Sequence, residues 1–221
     1  TVEINNLNDS EPVFTLNLYT FTADENQTAI GAVSASDPDG QAITYSMVAS
    51  DDGISVDSST GALTFITAPD YEVKTYYTAR VNATDQSSST AGADIRVSIN
   101  NLNDNSPQFT SSASFSADEN QTAIGTVTAT DADGDALIFS DNFDEDQNIQ
   151  IDPATGVLTF TIAPNFEPNG TQYNGSVYVT DGTNILQQNI SVTVLDVNEA
   201  PTITSSTNFS ADEEQIVINV S

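Results

Sequence analysis

The feature that most constrains the fold is an internal repeat. The string "ADENQTAIG" occurs at Ala23–Gly31 and again at Ala117–Gly125. Likewise "VDSSTGALTF" at Val56–Phe65 corresponds to "IDPATGVLTF" at Ile151–Phe160. The copies lie 94 or 95 residues apart, which is the size of one small domain. The chain must therefore adopt a fold that a unit of this length can form twice.

The repeat divides the chain into four predicted segments. We expect complete repeats at 11–106 and 107–199, preceded at 1–10 by the end of another linker. The string "SADEEQIV" at Ser210–Val217 resembles the opening of both repeats, so 200–221 is interpreted as the start of a third. The sequence is therefore expected to be a piece of a longer array.

Within each repeat, apolar residues alternate with polar ones over short segments. Examples are "IGAVSASD", "AITYSMV", "GALTFI" and "ADIRVSIN", separated by turns rich in Asp, Gly, Ser and Pro. A period of two indicates β-strands with one buried face, and no segment has convincing helical periodicity. We predict an all-β protein of tandem seven-stranded, Greek-key, immunoglobulin-like sandwiches arranged end to end. The "D-x-x-T-G" element is expected to form a hairpin turn.

The charge of the chain restricts its partners. Thirty-two acidic residues against three basic ones give a net charge of −29, which disfavours nucleic acids and anionic membranes. The chain has no Cys and no His, which excludes thiol and imidazole chemistry and makes zinc or copper sites improbable. No apolar run reaches transmembrane length, so no direct membrane insertion is expected.

The acids concentrate in turns and at strand ends, often at alternate positions as in D-x-D. Hard oxygen donors in this pattern are the ligands that Ca²⁺ prefers, at six to eight per ion. An EF-hand is excluded for "DADGDALIFSDN", because Ala136 replaces the turn glycine and Asn142 replaces the bidentate glutamate. The calcium sites must therefore have another architecture.

The order of these motifs resembles tandem cadherin repeats, particularly the cadherin-like repeats of large bacterial surface or secreted proteins. That family has X-E-N, D-x-D, D-R-E and A-x-D elements and a D-x-N-D-N-x-P linker. This chain has "DEN" twice, "DPDG" and "DADG", "DYE" and "NFE", and "ATD" and "VTD". Its linkers are "NLNDSEP", "NLNDNSP" and the shorter "DVNEAP". The resemblance covers both repeats and the opening of the third.

The resemblance implies Ca²⁺ sites between successive domains, three ions at the central one. The implied central ligands are Glu25, Asp70, Glu72, Asn101, Asn103, Asp104, Asp131, Asp133 and Asp181, with the carbonyls of Leu102 and Asn105. The implied N-terminal ligands are Asn8, the Ser10 carbonyl, Asp37, Asp39 and Asp85. The implied C-terminal ligands are Glu119, Glu167, Asp196 and Glu199. Two departures from the family pattern, Asn101 and Asn165, each replace a carboxylate by an amide.

These expectations favour an extracellular or cell-surface module for adhesion or spacing, in which Ca²⁺ stiffens the linkers between domains. Its partner would be a homophilic or heterophilic surface protein. A calcium-dependent polysaccharide-binding module is the alternative, although the chain has no Trp to form a sugar platform. An enzyme is not expected, because the paired carboxylates are already explained as metal ligands.

Overall fold

The computed structural model describes residues 7, 9–50, 53–144, 147–169 and 171–201. They form two compact units. Unit 1 contains the described residues up to Gln108 together with Thr130–Leu137 and Thr180–Leu186. Unit 2 contains Phe109–Ala129, Ile138–Val179 and the described residues from Gln187 onward. Two loops from the second sequence repeat thus belong to the compact unit that contains the first.

The described residues in the first half of the chain form nine strands. They are β1 (Val13–Phe14), β2 (Leu18–Asp24), β3 (Ala29–Ala32), β4 (Ala35–Ser36), β5 (Thr44–Ser50), β6 (Ile54–Val56), β7 (Ala62–Phe65), β8 (Tyr76–Thr84) and β9 (Thr90–Asn100). One sheet has the order β2-β9-β8-β5 and the other β3-β7-β6, while β1 pairs with β4. Strand β2 runs parallel to β9, with Leu18 opposite Asp94 and Asp24 opposite Asn100. The count exceeds the predicted seven because β1 and β4 form a short additional pair.

The core of unit 1 lies between its two larger sheets. Leu63 of β7 and Ile95 of β9 are each 1% exposed, and Val81 and Val97 are fully buried. Alternation along β9 places every second residue in this core, as the period-two pattern predicts. The buried apolar side chains form one cluster. This burial holds the sheets together and leaves the strand ends free to carry polar loops.

The second half repeats the design, and its described residues form nine further strands. They are β10 (Gln108–Phe109), β11 (Ser114–Asp118), β12 (Ala123–Thr126), β13 (Ala129–Thr130), β14 (Ile138–Asp141), β15 (Ile149–Ile151), β16 (Val157–Phe160), β17 (Gln172–Thr180) and β18 (Ile185–Leu195). The sheet orders are β11-β18-β17-β14 and β12-β16-β15, and β10 pairs with β13. One helical turn, α1 (Phe166–Asn169), was not predicted. The predicted all-β class and Greek-key sandwich are confirmed.

The "D-x-x-T-G" element forms the predicted hairpin turn in both halves. Asp57 accepts hydrogen bonds from the backbone and hydroxyl of Thr60 at 2.8 and 2.7 Å, which lowers the pKa of its carboxyl. Gly61 has a φ of +71°, and a Cβ there would lie 2.5 Å from the Val33 carbonyl oxygen. Only glycine fits this left-handed, crowded position. Asp152 and Gly156 have the same roles in the second half.

Candidate metal centre

The centre of the predicted site in unit 1 is the carboxylate of Glu25, which is 2% exposed. It follows β2 and accepts the backbone N–H of Tyr71 at 2.7 Å through one oxygen. Its other oxygen accepts the N–H of Leu102 at 2.8 Å. A buried carboxylate is tolerated because both its oxygens are hydrogen-bonded. Glu25 thereby ties the start of the linker to the turn after β7.

Two further carboxylates converge on Glu25. Oxygen atoms of Glu25, Glu72 and Asp104 all lie within 4.8 Å of one another. Burial raises the pKa of the Glu72 carboxyl, and the negative charges of Glu25, Asp133 and Asp70 raise it further. Like charges held this close repel one another unless a cation lies among them.

The Asp133 carboxylate holds the middle of the linker. One of its oxygens accepts the backbone N–H groups of Asp104 and Asn105 at 3.1 and 2.9 Å. Its other oxygen accepts the Asn105 side-chain amide at 2.8 Å, and these bonds lower the pKa of Asp133. The Asp133 backbone N–H in turn donates to Asp131 Oδ1 at 3.0 Å. The D-x-D loop is therefore shaped to present carboxylates to the linker backbone.

Asp181 completes the set from the loop after β17 and is 8% exposed. Its Oδ1 accepts the backbone N–H groups of Thr183 and Asn184 at 2.7 and 2.6 Å. Burial would raise the pKa of Asp181, but these hydrogen bonds and one from the Asn184 side chain outweigh burial and lower it. Asp181 is therefore anchored as a carboxylate, with its backbone carbonyl accepting the Asn103 amide at 3.2 Å.

Two side-chain oxygens test whether this donor set fits a cation. Asn103 Oδ1 and Asp131 Oδ2 are both buried, and neither accepts a hydrogen bond within the described part of the chain. Leaving such oxygens unpaired is costly. The surrounding donors are carboxylate, amide and carbonyl oxygens, which suit Ca²⁺ and not a metal that prefers nitrogen or sulfur. The residues present therefore fit calcium.

The other residues predicted for the central site lie in the same unit but make different contacts. Asn101 donates its amide to the Asp133 carbonyl at 2.8 Å. The Leu102 carbonyl accepts the Asp104 N–H at 3.0 Å. The Asp70 carboxylate accepts the Val73 N–H at 3.2 Å and caps that turn. The clustered carboxylates around Glu25 do not include Asp70, which acts on them through its charge.

Four contributions in unit 1 were missed by sequence reasoning. Asn26, at φ 63°, donates its side-chain amide to Asp104. Asn105 was predicted to contribute only its backbone carbonyl, but its side-chain amide also donates to Glu72 and Asp104. Asn184 donates to the Asn105 carbonyl at 3.4 Å, and Asp135 lies within 4.8 Å of Asp131 and Asp133. Only the left-handed Asn26, repeated as Asn120, had a sequence signal, because both belong to "DEN".

The predicted N-terminal site shows the same loop geometry where it is described. Asp39 accepts the Ser10 N–H at 2.9 Å, and the Asp39 N–H donates to Asp37 Oδ1 at 2.9 Å. Asp37 Oδ2 is buried without a hydrogen bond in the described residues, like its counterpart in the second D-x-D loop. Asp85 is 7% exposed and accepts the Ser89 N–H at 2.8 Å. Asn8, the remaining predicted ligand, lies outside the described residues.

Unit 2 carries its own acidic cluster. Glu119 is 3% exposed and accepts the N–H groups of Phe166 and Val197 at 2.8 and 2.9 Å, which lowers its pKa. Oxygens of Glu119, Glu167 and Asp196 lie within 4.8 Å of one another. Glu199 accepts the Asn120 amide at 2.6 Å. All four predicted C-terminal residues are thus brought to one end of this unit.

Known proteins resemble both the sequence and the structure. Residues 19–100 match the family model described as the cadherin domain. Human protocadherin-23 is 29% identical over 238 residues, covering 98% of this chain and 7% of that protein. Human cadherin EGF LAG seven-pass G-type receptor 2 is 30% identical over 236 residues, covering 97% and 8%. The chain thus spans less than a tenth of either relative.

A solved structure extends the likeness to the fold. The crystal structure of mouse cadherin-23 EC22-24 matches with a TM-score of 0.75 at 26% identity, covering 86% of this chain and 68% of that one. Among the described residues, no helix has the length and hydropathy needed to cross a bilayer.

Proposed function

Because the chain is composed of tandem cadherin repeats, we propose that it is a calcium-dependent extracellular module for adhesion or spacing. Calcium bound at the acidic clusters holds the linker residues against the strand ends and stiffens the array. This proposal rests on two buried oxygens, Asn103 Oδ1 and Asp131 Oδ2, that accept no hydrogen bond from the described residues. They lie beside carboxylates whose mutual repulsion a divalent cation would remove.

The charge balance supports the same proposal. The proposed centre contains seven carboxylates, namely Glu25, Asp70, Glu72, Asp104, Asp131, Asp133 and Asp181. Three Ca²⁺ ions, the number that the family resemblance implies, would nearly neutralise them. Without metal, each pair at about 4 Å repels by roughly 1–4 kcal/mol, depending on screening. The linker would then be free to swing, and the repeats would move independently.

The compartment follows from the calcium concentration that such sites require. Extracellular modules bind Ca²⁺ with dissociation constants of about 10⁻⁴–10⁻³ M, well above cytosolic levels. We therefore place the chain outside the cell or on its surface, with another surface protein as its partner. We retain the proposed repeat boundaries 11–106 and 107–199, flanked by a linker end at 1–10 and a third repeat from 200.

The family assignment also bears on the class of function. Cadherin domains are adhesion modules and not enzymes, so the prediction that this segment is not an enzyme is confirmed. The relatives named above give no support to the polysaccharide-binding alternative.

Small-angle scattering and calorimetry together test the calcium proposal. Calcium should increase the maximum dimension of the chain relative to a chelated sample, without changing its far-ultraviolet circular dichroism. Titration should give four to six Ca²⁺ ions per chain, three of them lost together when Asp133 and Asp181 are both replaced by Asn. Identical scattering profiles with and without chelator would overturn the clamp. Fewer than two ions lost in the double variant would overturn the residue assignment.

A further inference from the structure

The cationic residues of this acidic chain are not scattered. Two of the three basic residues, Arg80 and Arg96, project from the outer face of the β2-β9-β8-β5 sheet of unit 1. The four strands carry only two other charged residues, Asp24 and Asp94, and all four charged side chains are exposed. We call this outer surface the arginine face. Its net charge is zero in a chain whose total is −29.

The charges on the arginine face alternate in sign. Arg80 lies opposite Asp94 in the β8–β9 ladder, and their side chains form an ion pair at 2.5 Å. Gly92 leaves room for the Arg80 side chain, since a Cβ there would lie 2.8 Å from its guanidinium. Arg96 lies two residues beyond Asp94, with its guanidinium 5.5 Å from the centre of the Tyr76 ring. Arg96 forms no ion pair with any described residue.

Apolar surface accompanies these charges. Leu18 is 53% exposed beside Asp94, and Tyr76 is 50% exposed beneath Arg96. A shallow groove of about 510 Å³ on this face is lined by Leu18, Ala49, Thr78, Arg80, Asp94 and Arg96. Tyr and Arg are enriched in protein interfaces, whereas other charged residues are depleted there.

The corresponding face of unit 2 lacks this chemistry. Asn189 and Ser191 flank the buried Ile190 as Asp94 and Arg96 flank Ile95. Ser176 donates its hydroxyl to Asn189 at 3.1 Å, so amides and hydroxyls replace the ions. The charge pattern is therefore not required by the sandwich itself.

We propose that the arginine face binds the arginine face of a second copy of this chain. A two-fold axis that lies between the two faces, parallel to the sheet, perpendicular to β9 and level with Ile95, would bring each Arg96 opposite the Asp94 of the other copy. Such an interface is self-complementary, as two-fold pairing requires. Charge complementarity selects this occupant, because the face presents both signs at a spacing of two residues. At physiological ionic strength the remaining carboxylates are screened beyond about 8 Å, so local pairing decides the contact.

This inference takes from the proposed function only that the chain has a surface protein as its partner, and it does not depend on bound calcium. Sedimentation equilibrium of the chain, with calcium and with chelator, measures the association directly. Arg96→Ser installs the residue of unit 2 and should weaken self-association about tenfold, because two ion pairs are lost per dimer. Ser191→Asp adds the same change in net charge on unit 2 and should leave association unchanged.

A charge-swap experiment tests the pairing itself. Asp94→Arg and Arg96→Asp should each abolish self-association, since like charges then meet across the axis. An equimolar mixture of the two variants should associate again, because both cross-pairs become attractive. Circular dichroism of each variant checks that it is folded. Failure of the mixture to associate, or a wild-type chain that stays monomeric, would overturn the proposal. A monomeric chain that binds polygalacturonate through Arg96 would instead assign the face to a carboxylated glycan.

Discussion

Glu25 in unit 1 and Glu119 in unit 2 make the same two backbone contacts, yet the carboxylates gathered around them differ. Each accepts an N–H from the turn after the three-stranded sheet and another from the following linker. The third clustered carboxylate is Asp104 in unit 1 and Asp196 in unit 2. Asp196 occupies the position of Asn101. Glu199 accepts the Asn120 amide as Asp104 accepts the Asn26 amide. The second linker therefore carries one additional carboxylate, while the glutamate scaffold is unchanged.

The turns beside the two glutamates differ for a related reason. Asp70 accepts the N–H of Val73, three residues ahead. In unit 2 that position is Pro168, which has no N–H to donate. Asn165 accepts the N–H of Glu167 instead, at 3.1 Å, and the α1 turn follows. The buried glutamate thus holds the same backbone contacts in both units, while the acidic and amide residues around it can be exchanged.

The largest expected effect is on the shared scaffold. Glu25→Gln leaves one amide nitrogen facing a backbone N–H and should lower the free energy of unfolding of unit 1 by about 3 kcal/mol. Urea unfolding in chelator measures this, and hydrogen exchange at the Tyr71 and Leu102 amides should report lost protection. Glu119→Gln, the matched variant, should expose the amides of Phe166 and Val197 in the same way. Unchanged protection in either variant would contradict the shared role.

The next largest effect is expected on calcium affinity when the D-x-D loop of Asp131 and Asp133 is altered. Asp133→Ala should lower the calcium affinity of unit 1 at least about tenfold, because it removes a carboxylate that also orders the linker backbone. Asp135→Ala is the matched control. Its carboxylate is exposed and accepts no hydrogen bond from the described residues, so a smaller loss is expected. Calorimetric titration that found equal affinities would remove the distinction between the two aspartates.

A smaller effect should separate the two linkers. Asp196→Asn should reduce calcium affinity in unit 2 several-fold, because ligand charge sets the affinity of calcium sites. The reverse change, Asn101→Asp, adds a charge but loses the hydrogen bond to the Asp133 carbonyl. Its effect on unit 1 should therefore be weaker than that of Asp196→Asn on unit 2. A larger change at position 101, measured by the same titration, would show that charge alone governs both sites.

The smallest expected effect, that of replacing Glu72 on the stability of unit 1, should change sign when calcium is present. The raised pKa of Glu72 means that its contribution to stability is present below the ordinary value of about 4.3 and is lost as the pH rises through the folded value. At neutral pH in chelator, Glu72→Gln should therefore stabilise unit 1 by a few tenths of a kcal/mol, roughly. In calcium the same variant should be destabilised, because a ligand is lost. Thermal melts in both buffers check this, and destabilisation in both would contradict it.

Acid titration tests two carboxyls whose pKa is lowered, in contrast to that of Glu72. The pKa values of Asp133 and Asp181 are lowered, so their stabilising contributions are present above the ordinary value of about 3.9 and are lost as the pH falls through the folded values. Unit 1 should accordingly lose stability in acid more slowly in Asp133→Asn than in the wild type. Equal slopes of unfolding free energy against pH would argue against hydrogen-bonded carboxylates at this loop.

Much of this architecture was determined by the sequence alone. The repeat length, the period-two strands and the Gly61 and Gly156 turns depend on residues that are near neighbours in the chain, so local rules predict them. The concentration of oxygen donors in loops predicted calcium sites there, and the acidic clusters lie in those loops. The grouping of Glu25, Asp133 and Asp181 into one predicted calcium site came from the resemblance to a family and not from the local pattern itself.

The tertiary structure decided which of those donors meet. Strand β2 lies beside β9, so Asp24 and Asn100 become neighbours although 76 positions separate them. That pairing also brings Leu102 to Glu25 and selects Asp104 as the third clustered carboxylate. The alternation along β9 predicts that Asp94 and Arg96 share a face, but only the order of strands places Arg80 beside them. Local spacing sets the direction of a side chain, whereas its neighbours depend on long-range pairing that no short stretch of sequence contains.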